Sequence, residues 1–83
     1  MPTVLRIDGL RAVIYTNDHR PGHVHVMGNG CEAVFELNCP SGPVSLRENY
    51  GFDLRKANVI QKRLLEQLRR LCDEWEEIHG HSR

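Results

Sequence analysis

The sequence predicts an α+β fold: a small antiparallel meander sheet of four to five strands followed by one long C-terminal amphipathic helix. Two observations carry that expectation. The first half of the chain holds short apolar segments of alternating pattern, separated by turns rich in Gly, Pro and Asn. From Asp53 onward the apolar period changes to steps of three and four, and neither Gly nor Pro recurs until Gly80. The 83 residues suffice for one domain, with the sheet over about 3–47 and the helix over about 53–79.

Taken in order, Thr3 to Ile7 and Leu10 to Tyr15 are strand-like, and Asp8-Gly9 between them is a two-residue hairpin turn. Thr16 to Gly22 is polar and contains Pro21, so it reads as a loop. His23 to Met27 and Glu32 to Leu37 are strand-like again. They are joined through Gly28-Asn29-Gly30, whose Asn-Gly pair favours a type I′ turn. Cys39-Pro40-Ser41-Gly42-Pro43 forms a second loop before a short strand at Val44 to Arg47. Asp53 is placed to cap the helix. Leu54, Ala57, Ile60 or Gln61, Leu64, Leu68, Leu71, Trp75 and Ile78 then form one apolar stripe, widened by Leu65 and Cys72.

That helix would be roughly 39 Å long at 1.5 Å per residue. Strands of five or six residues span only about 17–20 Å. The excess stripe of Leu64, Leu68, Leu71 and Trp75 is therefore expected to bind a partner. Charge supports this: Arg55, Lys56, Lys62, Arg63, Arg69 and Arg70 precede Asp73, Glu74, Glu76 and Glu77. An antiparallel copy would set the basic half against the acidic half, which makes a homodimer the simplest version. The alternative is a break near Arg69-Arg70 that folds the segment into a helical hairpin, although no breaker residue stands there.

Eleven basic and eleven acidic residues give a formal net charge of zero, which argues against a general nucleic-acid binder. No segment reaches the ~20 apolar residues of a membrane span. The start lacks the pattern of a signal peptide. Cys31, Cys39 and Cys72 are odd in number and form no CxxC pair, which reads as reduced thiols in the cytoplasm, with Cys72 a small core residue.

The chemistry concentrates on one hairpin. A turn at Asn29-Gly30 pairs Gly28 with Cys31, Met27 with Glu32, Val26 with Ala33, His25 with Val34, Val24 with Phe35 and His23 with Glu36. Val24, Val26, Ala33 and Phe35 then face the core, and His23, His25, Glu32, Val34 and Glu36 share the other face. A solvated outer face accounts for that alternation by itself. Two functional readings compete with it. In one, His23 or His25 works as an acid or base with a carboxylate fixing its tautomer. In the other, His23 and His25 are metal ligands and Glu36 or His19 completes a facial set. Asn17 and Asp18 read as ordinary turn residues, and His79 and His81 as a frayed end around Gly80. The first hairpin sets Arg6 opposite Arg11, where two cations repel unless an anion lies between them. Solvation of both is the plain account, and a phosphate-bearing ligand is the functional one.

The opening Met1 to Gly9, the string Asn17-Asp18-His19-Arg20-Pro21-Gly22-His23-Val24-His25-Val26, then Glu32 to Phe35 and Glu48 to Phe52 resemble a family of small prokaryotic proteins, domain of unknown function 4160. Members more often carry a second proline where this chain has Gly22, which loosens the loop. The resemblance implies one half of a two-gene, toxin–antitoxin-like module, acting with a cognate small protein. Its sharpest enzymatic form is a metal-independent ribonuclease with His19, His23 and His25 supported by Glu36. RNA would then be the substrate, with no cofactor. The alternatives are a non-enzymatic interaction module or inhibitor, related to phage or host defence and docking through its helix, and a small metal-binding protein holding a divalent ion at His23 and His25.

Overall fold

The computed structural model of the protein describes residues 3–79. Five strands, β1 (Thr3–Ile7), β2 (Leu10–Val13), β3 (His23–Gly28), β4 (Cys31–Glu36) and β5 (Ser45–Tyr50), form one sheet in sequence order. Every neighbouring pair is antiparallel. The meander follows from its turns. Asp8 and Gly9, and again Asn29 and Gly30, have φ between 49° and 84°, the left-handed pair that a type I′ turn requires. The β3–β4 register is the expected one at all six pairs, and Arg6 does face Arg11. The fifth strand is longer than its apolar pattern indicated, because Glu48, Asn49 and Tyr50 pair with β4 while staying exposed.

The helical segment is not one helix. It runs as α1 (Leu54–Glu66) and α2 (Leu68–His79), interrupted at Gln67. Asp53 caps α1 as expected, its carboxylate accepting from the Lys56 N–H at 2.8 Å. At Gln67 the backbone leaves helical geometry (φ −112°, ψ 20°), and its N–H turns to the carbonyls of Leu64 and Leu65. No Pro or Gly marks this position. The interruption falls where the helical segment meets the β4–β5 loop, whose Gly42 lies against Leu65 and Leu68.

Ala57, Ile60, Leu64, Leu68, Leu71 and Trp75 are buried, and all but Ala57 join Ile7, Leu10, Ala12, Val24, Val26, Ala33 and Phe35 in one core. The expected intermolecular seam of Leu64, Leu68, Leu71 and Trp75 is thus core of the single chain. The strands alone would leave part of that stripe uncovered. The β4–β5 loop covers helix as well, and a disulfide between Cys39 and Cys72 ties it there. That bond corrects the expectation of three reduced thiols; Cys31 is the free cysteine. Leu54 and Leu65, expected in the stripe, are exposed, while Phe52 packs on the core. The segregated helix charges also find partners within the chain. Asp8 lies 3.7 Å from Lys56 and 3.4 Å from Arg63, and Arg20 lies 3.7 Å from Glu76. No helix among the described residues is long and apolar enough to cross a membrane.

Candidate metal centre

The face of the sheet opposite the helices is not simply solvated. On it the row through Val13, His25 and Val34 is set by strand pairing, and both valines are buried. The connection between β2 and β3 folds over this row. Its Tyr15 ring meets the His25 ring edge-on at 4.7 Å, and its Asp18 reaches both histidines. Asp18 is held by a local turn in which its Oδ2 accepts from the Tyr15 N–H at 3.2 Å, and the Asp18 N–H donates to the Tyr15 carbonyl.

His23 stands at the start of β3 and is 7% exposed. Its Nδ1 lies 2.9 Å from the Pro21 carbonyl, an acceptor only, so Nδ1 carries the proton. Its Nε2 is then free to accept, yet it lies 3.4 Å from Asp18 Oδ2. His25 repeats the pattern. Its Nδ1 is 3.2 Å from Glu32 Oε2, and its Nε2 is buried, makes no hydrogen bond and stops 3.5 Å from the same Asp18 oxygen. The ligand atoms of Asp18, His23 and His25 all lie within 4.8 Å of one another.

The helices close the site from the side. The Trp75 ring lies 5.5 Å from that of His23 and stacks on His79 at 4.0 Å. His79, expected to fray, belongs to α2 and places its Nε2 3.1 Å from the Tyr15 carbonyl. Gly80 and His81 lie outside the described residues. Gly22 is seated on Trp75, where a Cβ would make ordinary contact with the indole at 3.4 Å.

Of the four residues expected to act together, His23 and His25 do meet. His19 is exposed and does not belong to the Asp18–His23–His25 group, and Glu36 turns to Arg47 at 3.9 Å. Asp18 and Glu32 hold the positions expected of His19 and Glu36. Glu32 was within reach of His25 by register, whereas Asp18 had no signal beyond its turn chemistry. At the rim Tyr50, paired with Glu32 across the sheet, donates a hydrogen bond to Glu48 at 3.0 Å. That bond, and the negative charge behind it, raise the phenol above its ordinary value.

The model of the family described as a domain of unknown function (DUF4160) matches residues 9–76. No curated protein and no solved structure matches the chain.

Proposed function

The chain belongs to the DUF4160 family, and from that premise we propose that its working part is a divalent-metal centre with Asp18, His23 and His25 as ligands. One observation carries the reading. Both imidazoles engage Nδ1 with a second partner, Pro21 or Glu32, and turn Nε2 toward one carboxylate oxygen. With Nε2 unprotonated on both rings, two lone pairs and a carboxylate converge, and a metal ion among them relieves the repulsion. Protonated rings would instead ion-pair with Asp18 directly. Ligands about 2.1 Å from a tetrahedral ion are roughly 3.4 Å apart. The two His–Asp distances are 3.4 and 3.5 Å, and the three ligand atoms lie within 4.8 Å of one another, so closing on an ion would draw the set together. The outward Nδ1 bonds are the usual way a protein fixes a ligating imidazole. A His₂–carboxylate set fits zinc or a neighbouring divalent transition metal and leaves coordination positions for water or substrate.

A metal in such a site makes bound water acidic enough to attack an ester at neutral pH. A phosphate-bearing substrate is favoured by Arg6 and Arg11, which share the face of His25 and make no ion pair among the described residues. Metal-dependent rather than metal-independent RNA cleavage is then the form in which a toxin–antitoxin-like role would be exerted. Untagged protein, exchanged against zinc and desalted, should retain about one equivalent by elemental analysis. Asp18→Ala and His25→Ala should retain less than about 0.1. Wild type at that lower value overturns the reading. Expression of the chain alone should slow bacterial growth, and His25→Ala should relieve it. Normal growth with abundant folded protein would remove the toxin role and leave the metal site standing.

A further inference from the structure

Beside the centre, on the helix side, lies a cleft of 580 Å³ lined by Arg20, Pro21, Gly22, Pro40 and Trp75 together with the Cys39–Cys72 disulfide. Its volume falls in the roughly 300–1,000 Å³ range of small-molecule sites. The floor is apolar. Arg20, Asp73 and Glu76 stand at the rim, with Arg20 3.7 Å from Glu76. Cys39 is exposed and Cys72 half-buried, so Cys39 Sγ is the sulfur a nucleophile reaches first.

Two chains of contact run from this disulfide to the metal ligands. From Cys39, the Leu37 N–H donates to the Gly22 carbonyl at 3.0 Å, next to the Pro21 carbonyl that orients His23. From Cys72, one turn of α2 leads to Trp75, which covers His23 and stacks on His79. His79 reaches the Tyr15 carbonyl, and the Tyr15 N–H holds Asp18. The bond therefore latches α2 and the β4–β5 loop together at the point where both support the β2–β3 connection.

We propose that Cys39–Cys72 is a thiol-exchange site for a small thiol seated in the cleft, and that its reduction loosens the Asp18–His23–His25 centre. A thiolate attacks Cys39 Sγ, forming a mixed disulfide and breaking the Cys39–Cys72 bond. Cys72 leaves as a thiolate and takes a proton from solvent. A second thiolate attacks the small molecule's own sulfur, releasing Cys39, which is protonated in turn. Two small thiols are thereby oxidised to one disulfide while two cysteines are reduced. Released from the loop, α2 lets Trp75 and His79 move, and with them the turn that holds Asp18.

This inference rests on the metal reading, so its test has a readout that needs no metal. Full-length protein purified without reductant is alkylated before and after incubation with reduced glutathione, and sites are read by mass spectrometry. Cys31 alone should label before, and all three cysteines after. Zinc affinity, measured by competition with a chromophoric chelator, should fall about 5- to 100-fold on reduction, within the usual range of coupling between sites. A Cys39→Ser/Cys72→Ser variant, which has no new thiol to bind zinc, should match the reduced protein. Amide exchange over residues 15–22 in metal-free protein should quicken at least about fivefold on reduction. Labelling of Cys39 and Cys72 before any thiol is added overturns the proposal. So does zinc affinity within twofold between the two forms. If neither form binds zinc the metal reading fails, and unchanged exchange over 15–22 overturns the latch independently.

Discussion

A neutral imidazole has one N–H to give, and at His25 both ring nitrogens face carboxylates, Glu32 on one side and Asp18 on the other. A metal ion at Nε2 or a second proton on the ring satisfies that arrangement, and elemental analysis for bound metal separates the two. Glu32→Gln keeps an oxygen for the His25 Nδ1–H but removes the charge that makes the imidazole a stronger ligand. It should weaken zinc binding by about 10- to 100-fold, as a chelator competition would show; unchanged affinity would leave Glu32 no role behind His25. His23 also bears on stability. The alternating pattern implied that His23→Ala changes stability by less than about 1 kcal/mol. Packed under Trp75 and bonded to Pro21, it should instead cost about 1–3 kcal/mol in urea melts, approaching Val24→Ala, while exposed His19→Ala stays within about 0.5 kcal/mol. The side of the sheet on which His23 and His25 stand was legible, because the Asn29-Gly30 turn fixes it. The burial of His23 was not, since the residues that cover it lie in a neighbouring loop and some fifty positions away on a helix.

At the scale of elements, the β4–β5 loop does work that the sequence credited to a partner molecule. Gly42 has φ +77°, and a Cβ there would stand 2.9 Å from Leu68 Cδ2. Gly42→Ala should therefore cost more than the roughly 1–2 kcal/mol of left-handed strain alone. Gly9→Ala, with φ +84° and nothing within 4 Å, is the control that isolates that strain. Equal denaturation midpoints for the two would show that Leu68 yields freely. Closing 33 residues of chain, the disulfide should contribute about 3–4 kcal/mol, and melts with and without reductant measure it. Helix content and its apolar face were legible from the period of three and four. The interruption at Gln67 was legible only as the alternative of a break near Arg69-Arg70, and the Cys39–Cys72 bond not at all, because neither has a local cause: each reflects where a loop without periodicity comes to rest.

For the whole molecule, the apolar ground for an intermolecular helix contact is met inside one chain, and the charge ground in part. Leu64 and Leu71 are fully buried, Leu68 is 7% exposed, and Lys56 and Arg63 of the basic half pair with Asp8 while Glu76 of the acidic half pairs with Arg20. Leu68→Glu should accordingly unfold the protein rather than dissociate a dimer. Light scattering of wild type at micromolar concentration should give a mass near 9.6 kDa; twice that value would require a different interface. The sequence-order meander has a kinetic consequence as well. Every strand pairs only with its neighbours in the chain, so the sheet can form by successive short loop closures, the regime in which folding is fast. Asp18, His23, His25 and Glu32 all belong to one such unit, whereas Trp75 arrives only when α2 docks. Stopped-flow refolding should show zinc taken up before the Trp75 emission changes, so that the ion is captured by a nascent hairpin and the helix closes over it afterwards.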